Sequence, residues 1–159
     1  MLLSEELIGK ILIEKNMTLS VAESCTGGLI SSKLTDISGS SQYIKFNFVT
    51  YSDEAKNKFL GVSKETLEVF GAVSEQTAIE MAQGMRKTAE TDISLSITGI
   101  AGPTGGSIEK PVGLAYIAIS DAQKTQVYKI NANSGLSRIE IKNFAANRAL
   151  ELLCEFLSN

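Results

Sequence analysis

A chain of 159 residues with 43% apolar content and no Pro-, Gly- or Ser-rich divide can bury a core of its own, so one domain over residues 1–159 is expected. Its 15 basic and 18 acidic residues give a net charge of -3 with the basic ones scattered, which argues against a nucleic-acid partner. No apolar run nears the roughly 18 residues of a membrane span, and Ser4-Glu5-Glu6 is no basic-then-apolar leader, so a cytoplasmic protein without a membrane partner is expected.

Ser4 reads as an N-cap ahead of Leu7, Ile8, Ile11 and Leu12, whose spacing predicts an amphipathic helix ending at Asn16. Thr18 to Glu23 predicts a first strand, and Thr26-Gly27-Gly28 turns it into a helix from Leu29 that fades at Asp36-Ile37-Ser38-Gly39. Tyr43 to Tyr51 alternates as a second strand, with Tyr43, Lys45, Asn47, Val49 and Tyr51 on one face and Ile44, Phe46, Phe48 and Thr50 on the other. Ser52, Ser63 and Ser74 each read as caps, the last for a longer helix with the stripe Ala78, Ile79, Met81, Ala82, Met85 and Ala89. Ile93 to Thr98 predicts a strand running into a glycine-rich loop from Gly99 to Gly106. Val112 to Ser120 and Thr125 to Ile130 predict a hairpin, and about Leu136 to Leu157 a last helix. Early alternation of strands and helices followed by a hairpin predicts an α/β fold: a three-layer α/β/α sandwich on a mixed, mostly parallel sheet of about five strands.

The chemistry is constrained by what is missing. There is no histidine, and Cys25 and Cys154 lie far apart, so neither a disulfide framework nor a nitrogen–sulfur metal set is indicated. A carboxylate-only magnesium site at Asp53-Glu54 stays open, although acids are common in a first helical turn. Ser24 follows a strand and precedes a helix start, where a hydroxyl is placed for nucleophilic attack and the amides near Thr26, Gly27 and Gly28 face developing negative charge. A serine before a helix is equally read as a cap, and Cys25 competes as nucleophile. With no imidazole, the base falls to a lysine. Lys56, in the first turn after Tyr51-Ser52-Asp53-Glu54, is disfavoured as an ammonium by the helix dipole and by burial; the bland alternative is a surface lysine paired with Asp53. Tyr51 relays a proton, orients the hydroxyl, or is simply a strand aromatic. Gly99, Gly102, Gly105 and Gly106 let backbone amides approach a phosphate or carboxamide, yet match neither the Walker nor the dinucleotide fingerprint. Ser107 and Lys110 form an SxxK, which Pro111 biases away from helix. Arg138 clamps a phosphate or is solvated.

Ala22-Glu-Ser-Cys-Thr-Gly-Gly28, Val49-Thr-Tyr-Ser-Asp-Glu-Ala-Lys56, Gly71-Ala-Val-Ser74, Thr98-Gly-Ile-Ala-Gly-Pro103 and Lys110-Pro-Val-Gly113 together resemble the CinA C-terminal-domain family over nearly the whole chain. The resemblance implies a stand-alone copy without the larger N-terminal domain of CinA proper, a mixed α/β/α fold and a homo-oligomer, dimer or higher. It implies an amidohydrolase that converts nicotinamide mononucleotide to nicotinate mononucleotide and ammonia without a cofactor, with Ser24 as nucleophile, Lys56 as base, Tyr51 assisting and Arg138 in the site. The family often has Asp before that arginine, where this chain has Ser137. The competing class is a non-catalytic nucleotide- or protein-binding module linked to competence or the DNA damage response.

Overall fold

Alternate side chains of one central strand point to the two faces of the sheet. In β3 (Ile93–Gly99) the residues Ile93, Leu95 and Ile97 enter the larger core. Ser94, Ser96 and Thr98 face the opposite way, each hydroxyl donating to a main-chain carbonyl: Ser94 to Ala82 O (2.6 Å), Ser96 to Ala78 O (2.6 Å) and Thr98 to Ala72 O (2.7 Å). The period of two thus sorts apolar burial to one side and hydroxyl bonding to the other.

The structure, a computed structural model, describes residues 1–159. It contains five strands, β1 (Leu19–Glu23), β2 (Ile44–Val49), β3, β4 (Leu114–Ser120) and β5 (Thr125–Asn131), in the order β2-β1-β3-β4-β5. β1 pairs in parallel with both β2 and β3, and β4 runs antiparallel between β3 and β5, so β4 alone points against the other four. Helices α1 (Ser4–Glu14), α2 (Leu29–Thr35) and α6 (Arg138–Ser158) contribute Ile8, Leu12, Ile30, Leu34, Ala149 and Leu153 to the larger core. On the other face lie α3 (Asp53–Leu60), α4 (Lys64–Phe70) and α5 (Glu75–Ala89); Leu60, Met81, Met85 and Ala89 pack with Ala22 of β1. This is the expected three-layer sandwich on a mixed sheet.

Three local expectations are corrected. The cap of α1 is Leu3 rather than Ser4, and the Leu3 amide donates to the Glu6 carboxylate (2.8 Å). Ile79 leaves the buried stripe of α5, since Ala78, Met81, Ala82, Met85 and Ala89 already fill the arc facing the sheet. The two faces of β2 exchange partway along the strand. Leu19 and Val21 of β1 stand opposite Ile44 and Asn47, so β2 carries one extra residue in between, and the Asn47 side chain accepts from Val21 N (3.0 Å) to repair the ladder. Ile44 consequently packs on the larger core and Phe48 on the opposite one, although their spacing places them on one face.

Candidate functional site

β1, β2 and β3 are parallel, so their C-terminal ends open on the same edge of the sheet, where ligands of open α/β sheets collect. The residue after β1 is Ser24, held by its amide donating to Ile97 O of β3 (3.1 Å). After β2 the chain is tied back by Thr50 N donating to Glu23 O (2.8 Å), and Ser52 then caps α3 by accepting from Ala55 N (3.0 Å). One turn into that helix Lys56 points inward. It is 1% exposed, and its Nζ lies 2.9 Å from Ser24 Oγ while donating to Thr50 O (2.8 Å).

No carboxylate pairs with Lys56. Burial therefore lowers its pKa from the ordinary lysine value, with Asp53 and Cys25 pulling weakly the other way. A neutral amine giving one N–H to Thr50 O has its lone pair free for the serine proton. Cys25 is in the opposite state: burial, reinforced by the charge of Glu23, pushes its thiol up to about 11, far from a thiolate at neutral pH.

The turn behind Ser24 is organised by Glu23, 0% exposed. Its carboxylate accepts from Gly28 N (3.1 Å), Ile30 N (3.1 Å), Ser31 N (2.8 Å) and Ser31 Oγ (2.7 Å), and also from Thr26 Oγ1. An acidic side chain of the chain itself thus occupies the N-terminus of α2, the place where a helix would otherwise offer its amides to a ligand. Gly28 reaches this geometry at φ 102, open to glycine at little cost.

Ser24, Tyr51, Lys56, Gly99, Gly102, Gly105 and Arg138 come together around one cleft of about 260 Å³, joined by Cys25, Ala72, Val73, Thr98, Ile100, Ala101 and Thr104. Thr26, Gly27, Gly28 and Gly106 do not line it. Gly27 N donates to Ser24 O (3.0 Å), Gly28 N and the Thr26 hydroxyl go to Glu23, and Gly106 is packed behind Val112. The amides of Cys25 and Thr26 donate to no main-chain carbonyl. Tyr51 is 60% exposed, and its hydroxyl accepts from Arg138 Nη2 (2.8 Å), not from Ser24 or Lys56. Arg138 Nη1 donates to Gly102 O (2.6 Å), so this side chain ties the glycine loop to the end of β2. Ser137 caps α6 in a reciprocal box with Glu140, its Oγ accepting from Glu140 N (3.3 Å) and its N donating to the Glu140 carboxylate (2.7 Å). A serine therefore fills the capping role at this position.

Asp53 and Glu54 lie apart from the cleft, in a groove with Asn57, Lys64, Leu67 and Glu68. Lys110 Nζ donates to Phe70 O (2.6 Å), away from the Ser107 hydroxyl, which accepts instead from Lys110 N (3.0 Å). The sequence reading assigned no role to Glu23 or Thr98. Each closes an apolar strand as its last or near-last polar residue, and that placement at the sheet's ligand edge is the available signal. No helix is long and apolar enough to cross a membrane.

The sequence profile of the family described as the CinA C-terminal domain matches residues 3–157. A CinA-like protein of Kosmotoga olearia is 53% identical over 149 residues, covering 94% of this chain and 36% of its own length. One of Endomicrobium trichonymphae is 51% identical over 145 residues, covering 91% of this chain and 33% of its own. The chain thus spans about a third of the length of these curated relatives. Among solved structures, the competence/damage inducible protein CihA from Agrobacterium tumefaciens superposes with a TM-score of 0.91 at 41% identity, over 100% of this chain and 99% of that one. The competence damage-inducible protein A (ComA) from Klebsiella pneumoniae gives 0.93 at 32% identity, over 99% of each.

Proposed function

Because the chain belongs to the CinA C-terminal-domain family, we propose that it is an amidohydrolase acting on the carboxamide of nicotinamide mononucleotide, with Ser24 as nucleophile and Lys56 as base. The observation that carries the reading is the 2.9 Å contact between Lys56 Nζ and Ser24 Oγ, made by a lysine whose pKa burial lowers from its ordinary value.

Ser24 Oγ attacks the carboxamide carbon as its proton passes to Lys56 Nζ, and the carbonyl oxygen becomes an oxyanion. The N–H of Cys25, a residue of the cleft wall whose amide donates to no main-chain carbonyl, receives that charge. One such donor typically lowers a barrier by about 3 kcal/mol. Lys56 then protonates the departing nitrogen, which leaves as ammonia and breaks the C–N bond. Water attacks the ester, its proton passes to Lys56 and on to Ser24 Oγ, and nicotinate mononucleotide is released. Thr50 O holds the amine in place throughout, and Arg138 and Tyr51 keep the glycine loop against the cleft.

The test is ammonia release from nicotinamide mononucleotide between neutral and mildly alkaline pH. Release by the wild-type protein that vanishes in Ser24→Ala supports the assignment. No release at any pH overturns it and favours a binding module.

A further inference from the structure

The chain carries more acids than bases, yet no carboxylate lines the cleft. The one acid beside it, Glu23, is saturated by donors of its own turn. The cations nearby are mostly engaged as well: Lys56 with Thr50 O and Ser24, Arg138 with Gly102 O and Tyr51, and Lys110 with Phe70 O. Lys142 is different. Half-buried on α6 one turn beyond Arg138, it makes no ion pair, and its ammonium donates to no acceptor of the chain. Its Nζ stands 3.6 Å from where a Cβ of Gly27 would be, against the backbone of the nucleophile turn, and its charge acts on the neighbouring Cys25 thiol.

We propose that Lys142 recognises the anionic group of the ligand, binding the phosphate of a mononucleotide whose carboxamide end lies at Ser24. The proposal deepens the amidase reading and rests on it for the ligand's identity. Ser24 and Gly27 close one hydrogen-bonded turn, so their Cα atoms lie within about 7 Å and the Lys142 ammonium within about 12 Å of the Ser24 Cα, while neither Lys142 nor Gly27 lines the cleft itself. That limit takes in a group one pentose away from the reacting carbon. An unpaired ammonium beside a cleft free of carboxylates attracts a phosphate dianion far more strongly than the hydroxyls of an unphosphorylated ribosyl end.

Affinity is measured by titration calorimetry on the Ser24→Ala protein, with and without Lys142→Ala, for nicotinamide mononucleotide and for the unphosphorylated riboside. Loss of the ammonium is expected to weaken the mononucleotide about tenfold, an effect that shrinks as salt is raised, while riboside affinity does not change. Lys142→Arg is expected to retain most of the affinity. An equal loss for both compounds, no loss for the mononucleotide, or no mononucleotide binding at all overturns the proposal. Ammonia release by the wild-type protein separates the two readings. Release with unchanged affinity removes Lys142 alone, whereas absent release with the expected affinity pattern removes the amidase and leaves the phosphate contact standing.

Discussion

Ser24 and Lys56 are 32 residues apart in the chain and 2.9 Å apart at their reactive atoms, because parallel β1 and β2 deliver both to one edge of the sheet. A general base of this kind contributes about a hundred- to ten-thousandfold in rate. Lys56→Met is therefore expected to reduce ammonia release at least a hundredfold, whereas Cys25→Ala, at a thiol raised to about 11, leaves most of it. Steady-state assays of both variants decide; a silent Ser24→Ala change or an inactive Cys25→Ala protein reassigns the nucleophile.

The depressed pKa of Lys56 also sets a stability trend. The unfolded chain keeps this proton up to about pH 10.4, while the folded chain releases it at lower pH. Below the folded pKa the full cost of burying an ammonium is present; between the two values the unfolded state binds more protons, so stability rises with pH. Lys56→Met is thus expected to melt a few degrees higher than wild type, roughly 2–4 °C per kcal/mol, when measured well below the folded pKa, and the gap closes toward pH 10. Activity moves in the same direction, rising with pH through the folded pKa. A variant that melts lower than wild type at every pH contradicts a net cost of the buried amine.

The sequence made the strand-turn-helix at Ser24 and the cap at Ser52 legible because both depend on local chemistry: β-branched and apolar runs, two glycines, a serine before acids. Pairing order is non-local, so nothing in the neighbourhood of residues 19–23 announces that β1 sits between β2 and β3. The bulge of β2 hid for the same reason, since Asn47 repairs a ladder bond of Val21 and its spacing from Ile44 and Phe48 looks regular. Glu23 read as one letter of a motif, and only the fold shows that its carboxylate takes the amides of Gly28 and Ile30, while Gly27 N goes to Ser24 O, at the turn where the amides near Thr26, Gly27 and Gly28 were expected to serve a substrate.

Glu23→Gln keeps the size of the side chain and removes its charge. An amide offers one acceptor oxygen to donors that now share two, and its NH2 faces N–H and O–H groups that also donate. Hydrogen bonds to charged groups are worth about 1.5–3 kcal/mol each, so a loss of about 3 kcal/mol is expected. Urea unfolding should show a lower midpoint at unchanged slope. A midpoint within error of wild type means that the turn at Ser24 does not depend on this carboxylate.

Tyr51 tests what the cleft wall contributes. Its hydroxyl is bonded to Arg138 and not to the Ser24–Lys56 pair, so Tyr51→Phe is expected to cost less than about tenfold in kcat, below the range of a proton-transferring group. Arg138→Ala removes both ties, to Gly102 O and to Tyr51, and frees the loop from Gly99 to Gly106; its effect is expected mainly in KM. Gly102 carries φ +70, and a Cβ there would meet Val112 Cγ1 at 2.3 Å, so Gly102→Ala should displace the same loop and raise KM with a stability loss of about 1–3 kcal/mol. Steady-state kinetics on the three variants separates the roles. A hundredfold fall in kcat for Tyr51→Phe would place its hydroxyl in the proton path and take it off the wall.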